Sequence, residues 1–220
     1  MKSWDSEWEN IHKNEEMGKY PNEHTIRFIA KNFYKYNNRN EIKILEIGCG
    51  KGPQIWYLAR EGFLSFGIDG SFTAIKSAYN RLKKENLKSY LKVGDVILLP
   101  YKSNIFDAVL DIECLICNTY ENSKKIISEV RRVLKEGGLF FSQTFTDKTY
   151  LGKYYNKIDD YTFNNVVDGP LGRKRLIRLL PEFLIMDLYS GFKYIEYEKT
   201  FTTSNNRKFI SEEWLITAIK

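Results

Sequence analysis

The chain is poor in the residues that staple, kink or ligate. Among 220 residues there are three cysteines, two histidines, three methionines and five prolines. Cys49, Cys114 and Cys117 are an odd set without a secreted disulfide pattern, which points to a reducing compartment. Cys114 and Cys117 form a C-x-x-C, but no second pair exists to complete a zinc site, so no metal is expected. Buried thiols are the expected role. No run of about 18 uncharged apolar residues occurs, and no membrane helix is expected. The first ten residues, M-K-S-W-D-S-E-W-E-N, lack the apolar core of a secretory signal, so the expected location is cytoplasmic. There is no internal repeat and no low-complexity linker.

What is present is ordinary globular material: 43% hydrophobic and 28% charged residues. A chain of this length reads as one domain, residues 1–220, with a substantial core. The net charge is +6, and the pI near 9 raises the question of nucleic acid. The lysines are spread along the chain and mixed with acids, so a solvated surface is the reading and nucleic acid is not expected.

The organising stretch is Lys43 to Gly52, K-I-L-E-I-G-C-G-K-G. Ile44, Leu45 and Ile47 make a short apolar strand, and Gly48, Gly50 and Gly52 follow at alternate positions. A buried strand entering a glycine-rich turn lets backbone approach a ligand that a Cβ would block. Pro53 to Arg60 can start a helix whose free N–H groups face that ligand. The dinucleotide fingerprint G-x-G-x-x-G is not met, because its third glycine would fall on Pro53.

Ahead of this unit, Asn22 is placed to cap a helix with Ile26, Ile29 and Phe33 on one face. The aromatic and charged stretch Trp4 to Tyr20 has two readings: tryptophans packed on the domain, or a lid over a ligand. With the second, residues 1–40 form an N-terminal helical lid. Beyond the glycine turn, Phe63 to Ile68 is a second strand ending at Asp69. An acid at this distance can accept both hydroxyls of a ribose. It could also cap the next helix, but Ser71 is available for that. Tyr90 to Val93 and Ile105 to Asp111 are further strands. Ser123 is expected to cap a helix that stops at Gly137-Gly138, and Leu139 to Phe145 is the fifth strand. Strand and helix alternate, as in an α/β sheet with right-handed crossovers. From Thr146 to Gly169 the pattern breaks into an aromatic, polar stretch, read as an irregular substrate-side insertion (146–172). A helix over about 175–188, interrupted near Pro181, is expected next. Tyr194 to Thr203 and Trp214 to Ile219 read as a closing hairpin.

E-I-G-C-G-K-G, an acid two residues before G-x-G-x-G, resembles the first motif of class I S-adenosylmethionine-dependent methyltransferases. G-I-D-G-S, V-G-D-V-I-L-L-P-Y, F-D-A-V-L-D, R-R-V-L-K-E-G-G-L-F and Ser190-Gly191-Phe192 follow in that family's order, so the resemblance covers most of residues 41–220. It is of the small-molecule type. It implies a Rossmann-like seven-stranded α/β sheet in order 3-2-1-4-5-7-6, strand 7 antiparallel, with helices on both faces. A nicotinamide enzyme has no reason to end in such a hairpin. The implied cofactor is S-adenosylmethionine, with S-adenosylhomocysteine as product and no metal. Glu46, Gly48, Gly50 and Gly52 would surround its methionyl part, with Cys49 packed in the same loop. Asp69 would hold the ribose diol beside Gly70. Asp95 would accept from the adenine amine, Val96 would flank the base, and Asp111 would lie beside the methyl group. Tyr20 would join this set from the N-terminal segment.

The sulfonium activates the methyl group, so the protein's tasks are positioning the acceptor and excluding water. A general base helps where the acceptor is a hydroxyl. The candidates are His12 and His24, with Glu113 and Tyr150 as alternatives. The N-P-P-Y type signature of base or glutamine methylation is absent; the stretch after the fourth strand is D-I-E-C. Arg173 and Arg175, in the run Arg173-Lys174-Arg175 with Arg178 beyond, would bind a phosphate or carboxylate on the acceptor, with Tyr154 from the aromatic insertion. A small polar acceptor is expected: a sugar, a nucleotide-sugar or another phosphorylated metabolite. W-x-x-x-W and Y-P-N-E resemble methyltransferases of bacterial surface-glycan pathways. Two rivals stay open, an RNA methyltransferase and a non-catalytic cofactor-binding regulator. Oligomeric state is not readable.

Overall fold

Apolar runs that are buried on both sides give a sheet sandwiched between helices. The structure is a computed structural model that describes residues 3–172 and 175–220. Two helices lead in, α1 (Glu7–Asn14) and α2 (Glu23–Phe33). Then β1 (Lys43–Ile47), α3 (Pro53–Arg60), β2 (Leu64–Asp69), α4 (Phe72–Lys84) and β3 (Tyr90–Val93) alternate. They are followed by β4 (Phe106–Ile112), α5 (Tyr120–Val133) and β5 (Leu134–Phe145). A small sheet comes next, β6 (Asn156–Lys157), β7 (Thr162–Asn164) and β8 (Leu176–Arg178), then the single turn α6 (Ile185–Leu188). The chain closes with β9 (Tyr194–Ser204) and β10 (Phe209–Ile219).

The main sheet runs β3-β2-β1-β4-β5-β10-β9. Its first five strands are parallel, and β10 is antiparallel to both its neighbours. Counted along the chain, this is the expected order 3-2-1-4-5-7-6 with the seventh strand reversed. Alternation along each central strand feeds two layers. Ile44, Ala108 and Phe141 pack with α2 and α3, whereas Leu45, Val109 and Phe140 pack with α5 and α6. Asn22 caps α2 by accepting the Thr25 N–H, and Ser71 caps α4 by accepting the Ala74 N–H.

Three expectations are corrected. The cap of α5 is Thr119, which accepts the Asn122 N–H, and Ser123 is buried one turn in, donating to Leu115 O. Both residue types can cap, and tertiary packing chose the earlier one. Gly137-Gly138 does not end that helix. The helix passes straight into β5, and pairing with β4 jumps from Phe106↔Leu134 to Ala108↔Leu139, so residues 135–138 bulge out with Gly137 at φ +74°. Finally, 146–172 is not wholly irregular and 175–188 is not mostly helix. Strands β6, β7 and β8 pair there, with Phe163↔Ile177 in register. Ile177, Leu179, Phe163, Val166 and Leu171 bury a core of their own against Phe145 and Ile116. Period-2 burial at Ile177 and Leu179 wins over the weak helical pattern. Among the described residues no helix is long and apolar enough to cross a membrane.

Candidate active site

The loop after β1 is built on left-handed backbone. Gly48, Gly50 and Gly52 have φ of +63°, +51° and +74°. At Gly48 a Cβ would lie 2.5 Å from Cys114 Sγ, and at Gly52 it would lie 2.9 Å from the Ala78 Cβ of α4. The loop is therefore pressed against its surroundings where it turns into α3. The Gly50 N–H donates to Asp69 Oδ2 and the Ser71 N–H to Asp69 Oδ1, both at 2.8 Å. Burial pushes the Asp69 carboxyl up, and these two N–H bonds and His12 oppose it. Behind the loop, Glu46 is 2% exposed, and its Oε2 has no partner among the described residues. Burial, with Asp69 and Asp111 nearby, holds its carboxyl well above the usual carboxylate range.

A cavity of about 220 Å³ opens at the C-terminal ends of β1, β2, β3 and β4. This is the edge at which open α/β sheets take ligands. Its floor is Gly48, Gly50, Asp69, Gly70, Gly94 and Val96. Ile112, Glu113, Cys114, Cys117 and Asn118 form the wall after β4. Glu113 adopts φ +61°, rare for a side-chain-bearing residue, and its N–H donates to Gln143 O.

The roof is the N-terminal segment: Ser3, Trp4, Asp5, Trp8, His12 and Met17. It is tied down at several points. The Ser3 N–H, the Ser3 hydroxyl and the Trp4 N–H all donate to the Asp95 carboxylate. Burial alone would raise Asp95, but these bonds and one from the Ile97 N–H outweigh it and hold the carboxyl low. Glu9 accepts from the Ser71 hydroxyl and from the N–H and hydroxyl of Thr73, at the N-terminus of α4. Those bonds lower its pKa to about 2. Lys51 Nζ donates to Glu15 O at 2.8 Å. His12 is 4% exposed, its Nδ1 has no partner among the described residues, and its Cε1 lies 3.5 Å from where a Gly50 Cβ would be. Burial, reinforced by Lys51, pushes the His12 pKa down against the pull of Asp69 and Glu9, so the ring is held neutral.

Seven of the cofactor-binding and catalytic candidates named from sequence line this cavity: Gly48, Gly50, Asp69, Gly70, Val96, His12 and Glu113. Cys49 is buried in the core beneath the loop, where burial raises its thiol pKa. Others sit elsewhere. Asp111 is fully buried, accepting from the Cys114 and Leu115 N–H groups and the Ser142 hydroxyl. Its carboxylate organises the β4 loop rather than lining the cavity. Tyr20 is 73% exposed and sets its ring edge on Trp56, outside the lining. His24 lies along a separate groove between α2 and the β9–β10 hairpin. Tyr150 stacks on Phe209, and Tyr154 is exposed. Arg175 pairs with Asp5 at 3.6 Å, and Arg173 lies outside the described residues. Arg178 is 2% exposed and donates from Nε to Asn118 O and from Nη2 to Leu115 O and the Ser123 hydroxyl, so it braces the turn that carries Cys117 and Asn118. The lining thus contains Asp5, Asp69 and Glu113, and no lysine or arginine among the described residues. Sequence reasoning did not single out Met17 or Asn118. Trp8 and His12, four apart on α1 with ring centroids 6.0 Å apart, were the signal for the roof.

Comparison with known proteins bears on this geometry. A family model described as a methyltransferase domain matches residues 38–181. Norajmaline N-methyltransferase of Rauvolfia serpentina is 34% identical over 109 residues, 48% of this chain and 37% of that protein. Ubiquinone biosynthesis O-methyltransferase of Pelagibacter ubique is 33% identical over 135 residues, 57% of this chain and 55% of that protein. The chain thus spans less than two thirds of either relative. Among solved structures, a SAM-dependent methyltransferase of Methanosarcina mazei superposes with a TM-score of 0.67 at 23% identity, covering 83% of this chain and 95% of that one. At that identity the likeness is one of fold.

Proposed function

Because the chain belongs to the class I S-adenosylmethionine-dependent methyltransferase family, we propose that it moves a methyl group from that cofactor to a small acceptor held under the N-terminal roof. One observation carries the reading. The three-glycine loop, Asp69 and the wall after β4 converge on a single cavity that is closed by aromatic side chains. The residues present fit the cofactor: a Cβ at Gly50 would meet only His12 Cε1 of the roof, at 3.5 Å, and Glu46 Oε2 is a buried acceptor with no partner among the described residues. Gly48, Gly50 and Asp69 would hold the methionyl and ribose parts. When bound, S-adenosylmethionine supplies a methyl group already activated on sulfur.

The chain's own work is placement and exclusion of water. Trp8 and Met17 shed water from the acceptor end. His12, kept neutral by burial, is in the form that accepts a proton from an acceptor hydroxyl or ammonium. Glu113, on strained backbone in the same lining, is a second side chain placed to orient that acceptor. The described lining carries Asp5, Asp69 and Glu113, acids that repel an anionic acceptor. We therefore favour a neutral polyhydroxy acceptor of the sugar type, or an amine, over a phosphorylated one. The relatives' names speak of both N- and O-methylation. The same lining gives no support to an RNA acceptor, whose backbone demands cations.

The test is calorimetry with S-adenosylhomocysteine, followed by transfer of a radiolabelled methyl group to panels of amines, sugars, sugar phosphates and RNA. Binding, with label moving to an amine or a neutral sugar, is expected. Binding without transfer to any panel would favour a non-catalytic regulator. No binding at millimolar ligand would end the reading.

A further inference from the structure

On the reading that this cavity takes S-adenosylmethionine, we propose that Trp4 forms the wall against which the adenine ring lies, and that Asp95 positions Trp4 instead of receiving the adenine amine. The case begins with Asp95. A carboxylate offers about four lone-pair sites. Here Oδ1 accepts from the Ser3 hydroxyl and from the Ile97 N–H at 3.1 Å. Oδ2 accepts from the Ser3 N–H at 2.7 Å and the Trp4 N–H at 3.2 Å. All four sites are taken by the protein, and three of the four donors belong to the roof. A base amine reaching Asp95 would have to displace one of them.

The second observation is at Gly70, directly after the acid at the end of β2. A Cβ built there would lie 2.1–2.2 Å from three atoms of the Trp4 indole. No side chain fits at position 70 while Trp4 is in place, and the indole fills the space one would use. Trp4, Gly70, Gly94 and Val96 all line the cavity. With the indole standing where a residue-70 side chain would, Trp4 and Val96 both present apolar surface to the cavity. An aromatic face takes a purine by stacking, without regard to its hydrogen-bonding edge.

Trp4 is held from both directions along the chain. Asp95 fixes its backbone, and five residues on Glu9 docks on the N-terminus of α4 through Ser71 and Thr73. The roof is then a component of the cofactor pocket, and base recognition depends on a contact between residues 91 positions apart.

The experiment is calorimetry on the full chain with S-adenosylhomocysteine and with its hypoxanthine counterpart, which carries a carbonyl where adenine has its amine. Trp4→Ala is expected to weaken S-adenosylhomocysteine about 10-fold or more, and Trp4→Phe, which keeps a ring face, to recover most of that loss. Asp95→Asn is expected to weaken both ligands by the same factor, leaving the preference between the bases as in wild type. In the same variant, amide exchange over residues 3–13 should quicken. Urea midpoints near wild type for each variant guard against unfolding. Unchanged or tighter binding by Trp4→Ala would overturn the proposal, the latter showing that the roof competes with the base. So would an Asp95→Asn variant that loses the wild-type preference for adenine. If the wild type binds neither ligand, the cofactor reading itself fails, which is a distinct result.

Discussion

Replacing Gly48 with alanine measures what the glycine cradle is under. Position 48 has φ +63°, and a left-handed conformation costs a Cβ-bearing residue about 1–2 kcal/mol. The new Cβ would stand 2.5 Å from Cys114 Sγ and 2.6 Å from Cys114 Cβ. Cys114 cannot swing away cheaply, since its N–H is held by Asp111 Oδ1 at 2.9 Å and it begins the turn at Leu115–Cys117. Overpacking of this kind costs about 1–3 kcal/mol. Together the loss is about 2–5 kcal/mol, a large share of a typical domain stability of roughly 5–15 kcal/mol. Urea unfolding followed by circular dichroism reads it as a midpoint lowered by about 1–2 M. The two parts separate through position 114. Cys114→Ala removes the sulfur but leaves the Cβ contact, so it should rescue Gly48→Ala little. Cys114→Gly removes both atoms and leaves only the Cα at 3.7 Å, an ordinary contact. A double-mutant cycle with it should return the packing part and leave the backbone part of about 1–2 kcal/mol. A Gly48→Ala variant within about 0.5 kcal/mol of wild type would refute the argument, as would equal rescue by Cys114→Ala and Cys114→Gly.

Three further outcomes are expected. Asn22→Ala removes both the cap on Thr25 N–H and the bond from Asn22 Nδ2 to Gln143 Oε1, and should cost about 1–2 kcal/mol in urea melts, most of it regained by Asn22→Asp if the cap dominates. His12 has its pKa lowered in the fold, so its contribution to stability is present above the unfolded value of about 6.5 and is lost as pH falls below it. His12→Gln should flatten that part of the stability–pH curve, and an unchanged slope would count against a buried neutral ring. Asp111 runs the other way, because burial pushes it up to about 6 against the bonds from Ser142, Leu115 and Cys114. Its contribution is fully present below about 3.9 and disappears as pH rises through 6, worth about 3 kcal/mol, so Asp111→Asn should remove that decline from the urea midpoints.

Much of the frame was legible because its causes are local. The run Ile44, Leu45, Ile47 followed by alternate glycines announces a buried strand entering a tight turn, and any packing of the chain must respect it. The parallel core follows from strands too apolar to leave a face in water, and the β9–β10 hairpin from two β-like runs around Ser204–Lys208. Capping was half legible: Asn22 stands alone as a candidate and Ser71 had only Asp69 as a rival, whereas Thr119 and Ser123 compete and only packing against Leu115 and Arg178 decides between them. The stretch 175–188 misled because Ile177 and Leu179 can be read at either period until Phe163 and Val166 arrive from the other strand.

The site divides in the same way. By itself the sequence determined the floor, namely the glycine loop, Asp69 and the order of strands whose ends carry them, because each depends on neighbours a few positions away. Tertiary structure alone decided the roof and the wall. Which partner Asp95 accepts, whether Arg178 meets an anion or its own carbonyls, and which histidine is buried are settled by hydrogen bonds between residues 55 to 92 positions apart and by the burial they create. Such contacts are chosen by the competition of every surface for the same space, and no local pattern of residues carries that information.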